Sequence, residues 1–415
     1  MIFLDSKLLN SCLPLEQAFF CVLRWLGGGG TWRILIGPFG IRCGDEVLSM
    51  KKSRLFILAA SGLVWLLVGW PVIVVAEGED SCVLPDSGVI SGSVKLNSSC
   101  TYFQTIKISQ SNTHLNCNGA TLEGGGIRAV GIQIDGRKKR IENVTVENCK
   151  VQNFRNRGIS IASGFRIREF SSDRQSNYNV APRNIQIEGV TVLGSGRGGV
   201  YFDSYVTDSK LSNSTVQGSG KVGVYLEQGT QRIQILNNTI QGNGTEGRRE
   251  GLAIDSSAHN TVMGNRFIGN AGGGVFIYKN CSENFSSGKS AIRWQSSDFN
   301  MIKGNTFAGE RVGVWIASRQ SKDLRKWDCG DPAVDQDGRF YEDHANSNVV
   351  EDNEFCGTPT AIRVEGDNNT IIQNRIDSAS RRPVFEPYKN ANKPDGRRTQ
   401  GNKIEGTMAV NCVRD

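Results

Sequence analysis

The chain has 415 residues, with 49 Gly but only 10 Pro, and with 48 Lys and Arg against 41 Asp and Glu. Abundant Gly with scarce Pro is typical of a repetitive β architecture with many tight turns. The positive charge is weak and no basic run alternates with aromatic residues, so the sequence argues against nucleic acid as a partner.

The N-terminal segment has the features of an export signal. A basic stretch at 51–54 precedes an apolar run at 55–75, and small residues lead up to a cleavage site after Ala76. We therefore predict that 1–49 is an upstream extension translated from an early start codon and that 50–76 is a signal peptide. The mature chain would be periplasmic or extracellular, without a stable membrane span. The alternative is that the apolar run persists as an uncleaved membrane anchor.

Eight cysteines follow the predicted cleavage site, and an even number in an exported chain favours disulfides. Their distribution predicts one bridge from Cys82 to Cys100 near the N-terminus and another from Cys281 to Cys329 between two long loops. The cysteines and the three histidines lack zinc-site spacing, so a structural metal is not expected.

A repeat dominates the rest of the chain. Its pattern is an apolar residue, two further residues, Asn, one residue and a second apolar residue, seen at 260–267, 300–307, 348–355 and 369–376. Where no long loop intervenes, copies lie about 21 to 27 residues apart, which matches one solenoid coil of three short strands. The recurring Asn can stack as a hydrogen-bonded ladder, a structural role expected for Asn238, Asn265, Asn305, Asn353 and Asn374.

A further strand follows this motif in each coil, and it starts with Gly or Ala before alternating apolar positions. It begins at Gly158, Gly199, Gly223, Gly251, Gly274, Gly313 and Ala361. The two patterns together resemble the right-handed parallel β-helix superfamily typified by pectate lyases, which includes polysaccharide lyases and alginate-epimerase-type proteins.

The resemblance implies an all-β fold, a single-stranded right-handed parallel β-helix solenoid of roughly ten coils, capped at the N-terminus. It divides the mature chain into an N-terminal cap and first coil at 77–125, a β-helix with rim loops at 126–380, and a C-terminal coil and cap at 381–415. The Asp-Pro-His-Asp signature of alginate epimerases and the Gly-His-Gly signature of polygalacturonases are both absent. No named catalytic family is therefore matched.

Residues at one register of successive coils form a line, because parallel strands lie about 4.8 Å apart. The outward position of the Gly-initiated strand forms an aromatic row that we interpret as a sugar-binding platform. The row consists of Gln133, Ser160, Tyr201, Tyr225, Ala253, Phe276, Trp315 and Arg363. The alternative is that overlying loops bury these aromatic side chains.

Two positions further, the acidic row carries Asp203, Glu227 and Asp255 on adjacent coils. Adjacent carboxylates raise at least one pKa and can supply the acid and base of glycoside hydrolysis. The same three side chains would suit Ca²⁺, a possible cofactor that prefers hard oxygen ligands. The alternative is that they are solvated acids paired with loop cations.

Long insertions at 164–182, 279–299 and 318–347 all enter after the acidic row, which predicts a site on that rim. For β-elimination or C5 epimerisation of a uronate polymer, Tyr278 and Lys279 have the chemistry of the base. Candidates for neutralising the substrate carboxylate are Arg248, Arg249 and Arg293, and Glu250 is a further substrate-binding candidate.

These observations predict a carbohydrate-active protein whose partner is a polysaccharide, and an acidic one. The leading hypothesis is a lyase or C5-epimerase, with Glu227 and Asp255 as acid partners. The first alternative is a glycoside hydrolase that uses Asp203, Glu227 and Asp255. The second is a non-catalytic carbohydrate-binding or surface β-helix protein.

Overall fold

The computed structural model describes residues 82–84, 88–137, 139–387 and 399–412. The predicted upstream extension at 1–49 and signal peptide at 50–76 lie outside the described residues. Within the described residues, no helix is long and apolar enough to span a membrane.

The described chain winds through three parallel sheets, each of eleven strands, and every coil contributes one strand to each sheet. The fold is therefore the predicted parallel β-helix, with eleven coils where the sequence indicated roughly ten. The first sheet contains β1 Val89–Ile90, β4 Ile106–Ile108, β7 Val130–Asp135, β10 Arg157–Ala162, β13 Gly198–Phe202, β16 Val222–Leu226, β19 Glu250–Asp255, β22 Gly273–Tyr278, β25 Val312–Ile316, β28 Thr360–Val364 and β31 Arg382–Phe385.

The other two sheets are built from the two strands of the Asn motif. The second sheet contains β2 Ser93–Lys95, β5 His114–Asn116, β8 Glu142–Glu147, β11 Arg183–Glu188, β14 Lys210–Ser212, β17 Gln234–Leu236, β20 Thr261–Met263, β23 Met301–Lys303, β26 Val349–Glu351, β29 Thr370–Ile372 and β32 Lys403–Glu405. The third contains β3 Thr101–Tyr102, β6 Thr121–Glu123, β9 Lys150–Gln152, β12 Thr191–Leu193, β15 Thr215–Gln217, β18 Thr239–Gln241, β21 Arg266–Ile268, β24 Thr306–Ala308, β27 Glu354–Cys356, β30 Arg375–Asp377 and β33 Met408–Val410.

Inward side chains of all three sheets form one continuous apolar core. Phe267, Phe307 and Phe355 stack through it, with ring centroids 4.9 and 4.6 Å apart. This packing explains the glycine near the start of each first-sheet strand from β7 to β25, whereas β28 carries Ala361 at that position. A Cβ at Gly199 would lie only 2.3 Å from Cγ1 of Val216 in the third sheet, well inside van der Waals contact.

The Asn ladder forms at the corner between the second and third sheets, as predicted. Each buried amide donates through Nδ2 to Oδ1 of the Asn on the next coil, at 2.9 to 3.1 Å from Asn238 to Asn374. A second ladder, which the sequence analysis did not identify, runs from Asn260 through Asn300 to Asn348 at the corner between the first and second sheets. These side chains satisfy turn backbone groups in the solenoid interior.

Both predicted disulfides are present, Cys82–Cys100 and Cys281–Cys329. Two further bridges, which the sequence did not specify, join Cys117 to Cys149 and Cys356 to Cys412.

All three long insertions connect the first sheet to the second, as predicted. The first of them contains the one α-helix of the described residues, α1 (Arg174–Val180), and a 3₁₀ turn at Ile167–Glu169. The third contains a 3₁₀ turn at Arg325–Trp327. This irregular chain lies at the carboxyl ends of the first-sheet strands, where the acidic row also lies.

Candidate functional site

The first sheet brings both predicted rows into register. Strand pairing aligns Tyr201 with Tyr225, Tyr225 with Ala253, and Phe276 with Trp315. The two tyrosine rings stack with centroids 5.4 Å apart, and Phe276 meets Trp315 edge to face at 5.2 Å. The aromatic row is thus a structural fact, whereas its role in sugar binding stays a prediction.

Neighbouring side chains cover much of the aromatic row. Phe276 is only 5% exposed. The guanidinium of Arg157 lies 3.4 Å from the ring centroid of Tyr201, and that of Arg363 lies 4.4 Å from the Trp315 ring. A sugar ring would have to displace these cations to stack on Tyr201 or Trp315.

The acidic row forms a hydrogen-bonded network with the tyrosines. The Tyr201 hydroxyl donates to Glu227 at 2.7 Å, and the Tyr225 hydroxyl donates to Asp255 at 2.5 Å. Arg293, from the loop after β22, forms an ion pair with Glu227, and its Nη1 lies 3.4 Å from Oδ2 of Asp255. One buried cation therefore pairs with two carboxylates on adjacent coils.

The environment shifts two neighbouring carboxyl pKa values in opposite directions. Burial raises the pKa of Asp203, although the backbone amides of Ser204 and Gly164 partly offset the rise. Burial alone would also raise the pKa of Glu227, but Arg293 and the Tyr201 hydroxyl outweigh it and the net pKa is lowered. The two shifts make Asp203 the more readily protonated carboxyl group of the pair and Glu227 the more readily ionised one.

These three carboxylates do not fit a Ca²⁺ site. Their oxygens already accept hydrogen bonds from Tyr201, Tyr225, Arg293 and backbone amides. Across the part of the chain that the structure describes, no group of three or more His, Cys, Asp or Glu side chains is arranged to hold a metal ion.

An open cavity of about 990 Å³ lies beside Asp203 on the N-terminal coils. Gln133 and Ser163 line it, and Phe165 from the first long loop contributes an aromatic face. Asp203 accepts hydrogen bonds from the backbone amides of Ser163 and Gly164 at 3.1 and 3.2 Å. The carboxyl group with the raised pKa is therefore bonded to two residues of the cavity lining, behind the surface that they form.

One of the two predicted base candidates, Tyr278, lies in a second, mostly buried network. Tyr278 is 1% exposed, and its hydroxyl donates to Glu250 at 3.1 Å. Arg249 donates to Glu250 at 2.9 Å and to the Tyr278 hydroxyl at 3.3 Å. Burial and the nearby Glu250 raise the pKa of Tyr278, which makes its hydroxyl a weaker acid.

The remaining loop candidates are held by ion pairs or lie elsewhere. Lys279 pairs with Asp331 at 2.5 Å, with both side chains about 10% exposed. Arg248 is exposed in the turn before β19, outside the outward face of the first sheet. The structure thus brings Arg249, Glu250 and Tyr278 together, and Arg293 with Glu227 and Asp255, but places Arg248 apart from both groups.

Sequence reasoning missed Asp343, which organises this rim, and Arg157, which covers the Tyr201 ring. The buried Asp343 accepts backbone hydrogen bonds from Lys279 at 2.5 Å and Arg319 at 2.9 Å, so it ties together the second and third long loops. Burial raises its pKa to about 7. Asp343 and Arg157 carry no motif, and neither belongs to the two rows, so no sequence signal distinguished them.

Comparisons with known proteins agree with the architecture. The family described as "Right handed beta helix region" matches residues 130–321. No curated protein shows significant sequence similarity to this chain.

Several solved structures share the fold at low identity. An alginate lyase from Paenibacillus sp. is 12% identical, with 76% of this chain and 89% of that chain covered and a TM-score of 0.41. An alpha-1,3-glucanase from Streptomyces thermodiastaticus is 13% identical, with 78% and 61% covered and a TM-score of 0.46. A tailspike protein of an E. coli bacteriophage, in complex with a pentasaccharide, is 11% identical, with 76% and 60% covered and a TM-score of 0.45.

This chain thus spans about 60% of the glucanase and tailspike chains. It has the right-handed parallel β-helix fold, and no specific catalytic family is identified. At these identities and TM-scores, the likeness to the three solved structures carries no argument about activity or substrate.

Proposed function

We propose that this protein is an exported, polysaccharide-active enzyme that hydrolyses a glycosidic bond, with Asp203 as general acid and Glu227 as the ionised partner. The observation that carries this proposal is the opposite shift of the two carboxyl pKa values on adjacent coils, beside an open cavity. Glycoside hydrolysis needs this combination, because one carboxyl protonates the leaving oxygen while the other acts as base or nucleophile.

The surroundings of the pair support these roles. Tyr201 and Arg293 stabilise the ionised form of Glu227, and Arg293 also neutralises Asp255. Asp203 accepts hydrogen bonds from the backbone amides of Ser163 and Gly164, and both of these residues line the cavity. Four disulfides support export to an oxidising compartment.

An acidic polymer is the proposed substrate class. Lys107, Arg137 and Arg166 line the cavity together with only Asp135 and Glu169, which leaves a net positive charge. Lys107 and Arg137 share the single carboxylate of Asp135, at 3.0 and 2.8 Å. A sugar carboxylate can pair with the cation that is in excess.

A lyase or C5-epimerase is the second candidate, favoured by the contact between Tyr278 and Arg249. A base and a carboxylate-neutralising cation must lie together for abstraction of the C5 proton. It ranks second because burial raises the pKa of Tyr278, and because Arg249 is already paired with Glu250. A non-catalytic carbohydrate-binding protein is the third candidate. The aromatic row alone would be sufficient for that function.

The products distinguish these candidates. The protein is incubated with a panel of uronate-containing and neutral polysaccharides, while reducing ends and the ultraviolet absorbance of unsaturated uronates are followed. Hydrolysis yields reducing ends without absorbance, elimination yields both, epimerisation changes only the uronate configuration, and a binding protein yields no change.

Variants assign the residues. We expect Asp203→Asn and Glu227→Gln each to lower the hydrolysis rate by about 10²–10⁴-fold. Asp208→Asn is the matched control, because Asp208 is an exposed carboxylate paired with Arg232 at the second-sheet side and should leave the rate unchanged. Full activity in Asp203→Asn, or absorbance at the wild-type level in both variants, would contradict the hydrolase proposal.

A further inference from the structure

A row of exposed cations follows the corner at which the third sheet turns into the first. It consists of Arg128, Arg155, Arg197 and Lys221, one on each of four successive coils, and is called the corner cation row below. The backbone amide of Arg155 donates to the Arg128 carbonyl at 2.8 Å, and that of Lys221 donates to the Arg197 carbonyl at 3.0 Å. Solenoid stacking therefore holds these side chains at neighbouring positions.

The cations of this row are not neutralised by the protein. Within the described part of the chain, none of the four side chains forms an ion pair, unlike the half-buried Arg249 and the mostly buried Arg293. Glu246 is the one acidic residue among the described residues that line the adjoining cavity. Three cations against one acid among these lining residues leave a local excess of positive charge.

The row borders a shallow cavity of about 750 Å³, which Arg155, Arg197 and Lys221 line. Its floor is formed by Gly125, Gly126, Gly194 and Gly196. A Cβ at Gly125 or Gly126 would meet no atom within 4 Å, so this part of the floor is open. A Cβ at Gly196 would lie 2.3 Å from the Arg155 carbonyl oxygen, so the chain packs closely there. A trough with a floor of glycines and a rim of cations leaves room for a ligand to approach the backbone closely.

This trough is separate from the proposed catalytic site. Strand β13, Gly198–Phe202, lies between Arg197 at the corner and Asp203 in the acidic row. The two features lie at opposite ends of the same first-sheet strands. An inference about the corner cation row therefore does not rest on the proposed hydrolysis.

We propose that the corner cation row is a second binding site, which holds a strand of an acidic polysaccharide along the solenoid axis. Successive coils place a cation about every 4.8 Å, so the row extends about 14 Å in one direction. This linear array matches a polymer with a regularly repeated carboxylate or sulfate group, and each contact adds a charge-assisted hydrogen bond.

The shape and composition of the trough argue against other anionic partners. A concave floor is poorly suited to a flat membrane surface. Single-stranded nucleic acid is bound through exposed aromatic side chains that stack on bases, and Phe154, the aromatic residue that lines this cavity, is 1% exposed. The acidic polysaccharide is thus the partner that the geometry favours.

The test compares two triple variants, each of which removes three positive charges. The first, Arg155→Gln/Arg197→Gln/Lys221→Gln, neutralises the row. The second, Lys150→Gln/Arg266→Gln/Lys289→Gln, neutralises exposed cations that are scattered over the surface and serves as the control. Both are made in the full chain carrying Glu227→Gln, so that the probe is not degraded.

Binding of a defined uronic-acid oligomer, and of a neutral oligomer of equal length, is measured by calorimetry at several salt concentrations. We expect the row variant to bind the acidic oligomer about tenfold more weakly, with a flatter salt dependence, and the control to change less than twofold.

The proposal would be overturned by equal losses in the two triple variants, by an unchanged affinity in the row variant, or by equal binding of the neutral oligomer. A preference of the row for vesicles that contain anionic lipid over the oligomer would also overturn it, in favour of a membrane surface.

Discussion

Arg293 is the side chain on which the acidic network depends most, and its replacement by Met gives the sharpest test of that network. Met retains much of the side-chain volume but removes the positive charge. Arg293 is 11% exposed, Glu227 is 14% exposed and Asp255 is fully buried, so water cannot replace the guanidinium. Removal of one partner from a buried ion pair typically costs about 3–5 kcal/mol, because the remaining charge is left uncompensated.

The cost should depend on pH, and its sign follows from Glu227. In the wild type the pKa of Glu227 is lowered, so this group contributes stability above its unfolded pKa and loses it as the pH falls through the folded value. Without Arg293, burial would raise the pKa of Glu227, and the ionised carboxylate would then destabilise the variant until the pH falls below that value. The difference between wild type and variant should therefore be largest near pH 7 and smaller toward about pH 4.

Urea denaturation at the two pH values measures this difference. The control is Arg232→Met, which breaks the exposed ion pair with Asp208 and should cost at most about 1 kcal/mol at either pH. If Arg293→Met is no more destabilising than Arg232→Met, or if its cost is independent of pH, then Arg293 does not compensate the buried carboxylates and the account of this network is wrong.

Three further predictions concern the scaffold and the proposed chemistry. Gly199→Ala should destabilise the protein by about 1–3 kcal/mol in thermal or urea denaturation, because its Cβ overlaps the core, whereas Gly198→Ala, with 3.6 Å to its nearest neighbour, should be nearly neutral. Asn305→Ala removes four buried hydrogen bonds of the ladder and should cost about 3 kcal/mol in the same measurement, and a cost below about 1 kcal/mol would show that the ladder does not stabilise the coils. The pH profile of kcat/KM should be bell-shaped. Its acidic limb, set by Glu227, should lie below the usual Glu pKa, and its alkaline limb, set by Asp203, should lie above the usual Asp pKa. Limbs shifted in the opposite directions would reject the assigned roles.

The scaffold could be predicted because the solenoid repeats its physical requirements in every coil. Most coils need a small residue where the first-sheet strand packs closely against the core, apolar residues that point into the solenoid, and Asn at a buried turn. Those positions alone align Tyr201 with Tyr225 and Asp203 with Glu227 in the sequence. The two predicted disulfides also follow from the order of the cysteines along the chain. One joins neighbouring segments near the N-terminus, and the other joins two loops on the same rim.

The irregular loops could not be predicted in this way, because no repeat constrains their path. Asp343 lies within the longest insertion, and only its three-dimensional position reveals that it binds the amides of Lys279 and Arg319. The partners of Tyr278 and Arg293 are likewise set by loop packing. The repeat register predicted that both side chains lie near the acidic row. It could not show whether they would be free to act on a substrate.

The N-terminal cap and first coil predicted at 77–125 illustrate a smaller limit at residues 101–108. These residues form β3 and β4 and contribute to the first two coils of the solenoid. Short strands of two or three residues give little alternation in sequence, so hydrophobic patterning alone did not separate them from a cap.

The measurement that tests the central claim most directly is a crystal structure of the Glu227→Gln variant with a bound oligosaccharide that wild type cleaves. The account predicts that the sugar occupies the cavity lined by Gln133 and Phe165, with a glycosidic oxygen within hydrogen-bonding distance of the Asp203 carboxyl group. A scissile bond bound against Tyr278 and Arg249 instead, or a sugar that makes no contact with Asp203, would contradict it.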